Sequence, residues 1–355
     1  MLAVHRSRAA VASLAVAAVT ATVLAGCAAP ADDDDASTIV RTTTRIAGAS
    51  VVGIDRDTAT ACALPSPLDP GVAPEGTRGI IHAAGISEVP SDPQRIVVLD
   101  EAALDAVCAL GLWERVVGAT VDADGRPEYL GTGIAELPSV GPQGSPDIAA
   151  VEQARPDLIL GAAADEEVYS SLSAVAPTVV VGSDPLFWRT QFLRVGEALG
   201  RTIAAQAALD AYSEEAAELG RELVSSQTQA SVVRFTADGG EIEGSASFAG
   251  QVLGDLGAAR PPAQRFVVVD QRVVEPLDAD DPAAADGDVI FVRFDGEDGL
   301  DRGTAIMGTD PWLDLGAVTD NRLFSVSDEV WSTPGPVAAR AMLEDLEVGL
   351  NGYSG

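Results

Sequence analysis

Apolar residues along this chain recur with two different periods. Over residues 202–224 they fall at Leu209, Tyr212, Ala216, Leu219 and Leu223, at alternating three- and four-residue spacings, while Glu214, Glu215, Glu218 and Glu222 lie on the opposite face. This is the pattern of one amphipathic helix. The stretch has no proline and is rich in strong helix formers, and at 1.5 Å per residue it would span about 34 Å. On either side, short continuous apolar runs alternate with helical patterns. Before it, Ile96-Val97-Val98-Leu99 reads as a buried parallel strand, and Asp100 caps a helix that Gly111 ends. Further strands are expected at 116–119, 140–142, 156–161 and 178–181, with helices at 147–154, 167–174 and 186–199. After it, strands are expected at 231–235, 266–269, 288–292 and 322–326, with helices at 247–256, 300–307 and 337–346. The long helix therefore reads as a spine joining two α/β halves with a cleft between them.

Length and charge narrow this picture. The 355 residues leave room for two domains. Acidic residues number 54 against 22 basic ones, all of them arginine, and the net charge is −32. Such a field repels nucleic acid and anionic membrane surfaces. An anionic ligand would need arginines placed locally to overcome it.

The N-terminus has the layout of a secretory signal peptide, with Arg6 and Arg8 ahead of an apolar stretch over 9–24. About sixteen apolar residues are short for a membrane span. The tetrapeptide Leu24-Ala25-Gly26-Cys27 resembles the bacterial lipobox, which implies removal of residues 1–26 and acylation of Cys27. Several acyl chains on that sulfur would anchor the protein stably. Residues 27–78 then read as the lipid anchor and an acidic, mostly extended tether, because Asp32-Asp33-Asp34-Asp35 and the Ser-, Thr- and Pro-rich stretch after it cannot bury a core. The aspartate run lacks the alternate spacing and turn glycine of a calcium loop. In an oxidising compartment, Cys62 and Cys108 would pair as one disulfide stapling the tether to the first domain. The competing reading makes Cys108, four residues after Leu104 on the inner face of a helix, an ordinary buried thiol.

Several of these segments together resemble a family. Pro93-Gln94-Arg95-Ile96-Val97-Val98-Leu99, Ala109-Leu110-Gly111, Leu137-Pro138-Ser139-Val140-Gly141 and Arg155-Pro156-Asp157-Leu158-Ile159-Leu160 occur in the order found in the solute-binding proteins of iron-siderophore, haem and vitamin B12 ABC importers. Gly250-Gln251-Val252-Leu253-Gly254-Asp255-Leu256-Gly257, Asp310-Pro311-Trp312-Leu313 and Asn321-Arg322-Leu323-Phe324 extend the likeness to the C-terminal half. The resemblance implies a class III solute-binding fold, two Rossmann-like lobes joined by a single long helix, with little hinge motion. The corresponding division is an N-terminal lobe over 79–183, connecting helices over 184–225 and a C-terminal lobe over 226–355. It also implies an extracytoplasmic monomer that hands its ligand to a permease.

The chemistry agrees with binding and gives no support to catalysis. The chain has no Gly-x-Ser-x-Gly elbow, no His-Glu-x-x-His and no lysine-bearing phosphate loop. Beyond residue 26 one histidine remains, His82, which reads as a packing residue, so neither a histidine metal site nor a resident cofactor is expected. Haem would have to rely on a tyrosine, with Tyr129 best placed, or on no protein ligand. For a ferric siderophore the candidates follow the strand ends: Arg126 and Tyr129 from the first lobe, Arg234, Phe248, Arg293 and Trp331 from the second. Arginine offers a planar fork to carboxylate, hydroxamate or catecholate oxygens, and aromatic rings stack on flat ligand faces. Known family members place an acidic residue on each lobe against permease arginines. Here the first-lobe position falls on Ala149, with Asp147 and Glu152 displaced, and Glu275 is the nearest second-lobe candidate. The leading expectation is a ferric-siderophore binder serving an ABC importer, with a haem binder of the same fold as runner-up; the acidic tether and Ala149 support the third, an envelope interaction protein that has lost transport.

Overall fold

In a computed structural model, residues 61–351 are described apart from 124, 163–164, 183 and 269–271, together with 40–41, 45–46, 48–51 and 54–55. The leader, Cys27 and the aspartate run lie outside the described residues. The continuous apolar runs form parallel strands, as their lack of alternation requires. In the first lobe, four parallel strands stand in the order Thr178–Val180, Leu158–Gly161, Ile96–Val98 and Val116–Ala119. In place of a strand over 140–142 there is a single parallel bridge from Ala119 to Ser139. The helix Glu101–Ala109 follows the central strand, its N-terminus capped by Asp100, which accepts from Ala103 N.

The second lobe is built on a seven-stranded sheet in the order Val274–Pro276, Gly239–Glu243, Ala230–Thr236, Val289–Phe294, Leu323–Ser325, Ala49–Val51 and Arg45–Ile46. Its four middle strands run parallel and the outer ones antiparallel. The strand expected at 266–269 is not found over 266–268, which is irregular. Phe266 instead covers Gly244, where a Cβ would sit 2.4 Å from the Phe266 ring, and its carbonyl accepts from Ser245 N.

The spine is a helix over Thr202–Glu222. Its buried stripe is Ala205, Leu209, Tyr212, Ala216 and Gly220, with the four glutamates outside. Leu219 and Leu223, expected on the stripe, are half-buried beside it. Gly220 takes the deepest position because the second lobe comes so close that a Cβ there would lie 1.8 Å from Leu256 O. The spine packs between the helices Trp188–Leu199 and Pro336–Asn351 and also touches Phe248–Asp255, so a single apolar core runs through both lobes.

The segment read as tether is in part folded against the protein. From residue 61 onward it is laid along the first lobe. Cys62 and Cys108 form a disulfide with Cα atoms 4.6 Å apart. Ala63 N donates to Cys108 O and Ser66 N to Leu110 O. The Asp69 carboxylate accepts from Thr202 N and Ile203 N, capping a spine that Arg201 itself leaves uncapped. A hairpin, Thr77–His82 with Gly85–Pro90, then lies beside the edge strand Thr178–Val180, held by Ser87 Oγ donating to Thr178 O. His82 is 6% exposed and shares a hydrogen bond with that same Ser87 hydroxyl, which makes it a packing residue. Further upstream, Ala49–Val51 adds a strand parallel to Leu323–Ser325.

Candidate ligand-binding cleft

Two polar contacts, one buried and one half-buried, fix the floor between the lobes. Asp105, on the first-lobe helix, accepts from Val337 N at 2.9 Å and Ala338 N at 2.8 Å, at the start of the C-terminal helix. The Tyr129 hydroxyl donates to the same carboxylate at 2.9 Å. Gly335 makes this approach possible, because a Cβ there would fall 2.2 Å from Asp105 Cγ. Burial is the main cause that raises the Asp105 pKa to about 6, against these three donors. On the other side of the spine, the Arg189 guanidinium pairs with Asp255 and with Gln251 Oε1 while lying 4.3 Å over the Trp188 ring. Tyr212 from the spine donates to the same Asp255 at 2.8 Å.

Above this floor, the carboxyl ends of the two parallel sheets supply the walls, the usual place for ligands in open α/β sheets. On the first-lobe side stand Glu101, directly after the strand Ile96–Val98 and its cap Asp100, and Asp122, beyond Val116–Ala119. On the second-lobe side stand Arg234 and Arg293, cross-strand partners in register, and the short helix Asp328–Ser332. Glu329 of that helix accepts from Glu128 N of the first-lobe loop at 2.9 Å, so the two walls meet. Burial, followed by Asp122, Glu329 and Asp100, pushes the Glu101 carboxyl up to about 7, and a hydrogen bond with Thr333 opposes the shift. The dense packing leaves a cavity of only about 10 Å³ beneath, between Ala102, Ala106, Gly182, Gln191, Pro334 and Pro336.

The residues named from sequence fare unequally. Arg126 is buried, and its guanidinium donates to the carbonyls of Ala119, Thr120, Ala135, Leu137 and Pro138. Burial lowers its pKa. It holds the 120–138 loop together and has no donor left for a ligand. Tyr129, the tyrosine a haem reading would use, is engaged with Asp105, and burial first and then that carboxylate raise its pKa. Phe248 is 3% exposed and packs edge-on against Trp188. Trp331 is fully buried, packs at a tilt against Phe291 and donates its indole N–H to Asp345. These four side chains lie inside the packing instead of on the cleft wall.

Arg234 and Arg293 do stand at the sheet ends, already paired. Arg293 contacts Glu243 at 2.7 Å, Asp328 and the Ser332 hydroxyl. Arg234 contacts Asp295 at 3.1 Å and Asp328 at 3.3 Å. Glu275 lies half-buried on the outer strand Val274–Pro276. Ala149 is exposed on the helix Ile148–Ala154, and Asp147 beside it caps that helix by accepting from Ala149 N and Ala150 N.

Sequence reasoning missed Glu101, Asp122, Asp328 and Glu329. Position after a strand was the available signal for Glu101, used there only for the neighbouring cap. The family model described as periplasmic binding protein matches residues 96–330. Among curated proteins, the chain is 29% identical to the probable siderophore-binding lipoprotein YfiY of Bacillus subtilis, over 78% of this chain and 88% of that protein. It is 25% identical to the petrobactin-binding protein YclQ of the same organism, over 74% of this chain and 84% of that one. Among solved structures, Staphylococcus aureus SirA complexed with staphyloferrin B superposes with a TM-score of 0.65 at 28% identity, covering 78% of this chain and 99% of SirA.

Proposed function

The chain belongs to the periplasmic binding protein family, and from that membership we propose that it captures a ferric siderophore in the cleft between its lobes for delivery to an ABC importer. The observation that carries this reading is the pair of parallel sheets whose carboxyl ends face each other over a floor pinned by Asp105 and Asp255. These contacts hold the two lobes in place, and such preorganisation lowers the ordering cost of binding. The probable siderophore-binding lipoprotein YfiY, the petrobactin-binding protein YclQ and the complex of SirA with staphyloferrin B support the same ligand class. The haem alternative has no comparable support, since Tyr129 is committed to Asp105. In calorimetric titration the purified protein is expected to bind at least one chelate from a panel of ferric siderophores and to leave haem unbound. Binding of haem alone would reverse the assignment.

Delivery would use the exposed ends of both lobes, with Glu275 as the proposed second-lobe contact for the permease. Retention at the cell envelope would use Cys27 as the lipid attachment. Cys27→Ser is expected to move the protein from the membrane fraction into the soluble fraction. Unchanged membrane association of that variant would remove the lipoprotein reading.

A further inference from the structure

The lobes are joined both by the spine and by the contact of Asp105 with the start of the C-terminal helix. One short piece of chain reaches both connections. Residues 62–78 form a strap along the first lobe that meets three helix ends on its way. Ala63 N donates to Cys108 O, and Ser66 donates through its N–H and its hydroxyl to Leu110 O, which answers carbonyls at the end of Glu101–Ala109. The strap lies so close there that a Cβ on Gly111 would fall 2.1 Å from Leu64 O. Arg78 donates to Glu197 O and Ala198 O, in the last turn of Trp188–Leu199. Asp69 donates its N–H to Gly200 O and accepts from Thr202 N and Ile203 N, where the spine begins. An acid at that start and a base at that end also match the two helix dipoles.

The covalent end of the strap sits on the helix that makes the other connection. Cys108 follows Asp105 by three residues on Glu101–Ala109, and its bond to Cys62 ties that helix to the strap. The contacts close a ring. Asp105 holds the C-terminal helix, that helix packs on the spine, Asp69 holds the spine, and the Cys62–Cys108 bond leads back to the helix of Asp105. Resting on the ferric-siderophore reading for its ligand, we propose that the strap is a redox-sensitive clamp: with Cys62 and Cys108 bonded it fixes the lobes at the spacing that binds the chelate, and reduction by a dithiol loosens the junction and releases it.

The exposure of the two cysteines gives the step a direction. Cys62 is half-buried and Cys108 fully buried. A thiolate of the dithiol therefore attacks Cys62 Sγ, the bond to Cys108 breaks, and Cys108 leaves as a thiolate that takes up a proton. The second thiol of the reductant then displaces Cys62, so the dithiol ends as a disulfide and the protein gains its two electrons and two protons. Asp69 and Arg78 act through the helices they cap, so they are positioning residues for the cleft.

The test compares the full purified protein, oxidised and after reduction with dithiothreitol, by amide hydrogen exchange and by calorimetric titration. Exchange needs no ligand. Reduction is expected to speed exchange about tenfold at Thr202 and Ile203, which lose a firmly held cap, and at Val337 and Ala338 across the lobe junction. Oxidised protein in enough urea to bring its melting temperature down to that of the reduced protein should keep these amides slow, because the clamp is local and urea acts on the whole fold. Equal acceleration in urea, or no change at Val337 and Ala338 on reduction, would overturn the clamp. The titrations use a ferric tris-hydroxamate and a ferric tris-catecholate, added after the reductant has been removed without air. Whichever binds the oxidised protein more tightly is expected to lose about three- to tenfold in affinity on reduction. The Cys62→Ser, Cys108→Ser variant should bind it as weakly as the reduced protein and should not respond to the reductant. Unchanged affinity in reduced protein whose four amides are loosened would overturn the link to release. If neither probe nor the wider siderophore panel binds the oxidised protein, the siderophore reading falls, and the exchange pattern still decides whether the strap clamps the lobes.

Discussion

Arg293→Met is expected to lower the free energy of unfolding by about 3–5 kcal/mol, because it removes one partner from a buried ion pair and strands the other. Arg293 and Glu243 are 5% and 1% exposed, and their closest charged atoms are 2.7 Å apart. Burial alone would depress the guanidinium pKa, yet Glu243 and Asp328 outweigh it and hold the group above its ordinary value. The arginine is thus charged at every accessible pH, and its loss leaves Glu243 in the core with only the neighbouring Arg260 to answer it. A second substitution, Glu243→Gln, made in the Arg293→Met background, should recover part of the loss, since it removes the orphaned charge. Urea unfolding of the two single variants and the double variant measures the coupling directly. Additive effects with no recovery would show that the pair contributes packing and no electrostatic coupling.

Replacing both cysteines, Cys62→Ser with Cys108→Ser, is expected to lower stability by about 4 kcal/mol, with a fall in melting temperature of roughly 10 °C. The bridge closes a loop with a sequence separation of 46, and a loop of that size loses substantial freedom in the unfolded chain when it is tied. It also anchors the segment that carries Asp69 to the N-terminus of the spine, so its removal loosens a cap far from the sulfurs. A reducing agent acting on the unaltered protein should reproduce the effect, and it should do nothing to the double-serine variant. A melting temperature that is insensitive to both treatments would contradict the staple.

The parallel strands were legible because a strand covered on both faces cannot alternate, and runs such as Ile96-Val97-Val98 and Val289 to Val292 carry that constraint in their composition. The spine was legible for the corresponding reason at a period of 3.6. What escaped were elements whose identity depends on distant partners. Ala49-Ser50-Val51 is too short to show any period and becomes a strand only because Leu323–Ser325 lies open beside it. Arg234 and Arg293 were correctly placed at strand ends, but the carboxylates that occupy them are 94 and 35 residues away at Asp328, and 50 residues away at Glu243. Sequence position gives the side chain and its height on the sheet. It does not give the ion that answers it. Phe248 and Trp331 turn into the packing for local reasons: Phe248 opens its helix against the Trp188 ring, and Trp331 sits on a five-residue helix too short for its period to tell core from cleft.

The strand Ala49–Val51 also decides where a mechanical load would enter the molecule. With Cys27 as the proposed attachment, about twenty residues, a contour of at most roughly 70 Å, separate it from the outermost strand of the second-lobe sheet. A pull on that leash acts first on the outermost strand Arg45–Ile46 and then on its three-residue neighbour Ala49–Val51, and peeling both would lengthen the leash to roughly 120 Å at Cys62. There the disulfide to Cys108 stops the extension covalently and passes the load into the first-lobe helix Glu101–Ala109, which carries Cys108. The leash thus has two working lengths, with two short sacrificial strands between them and a covalent stop at the end.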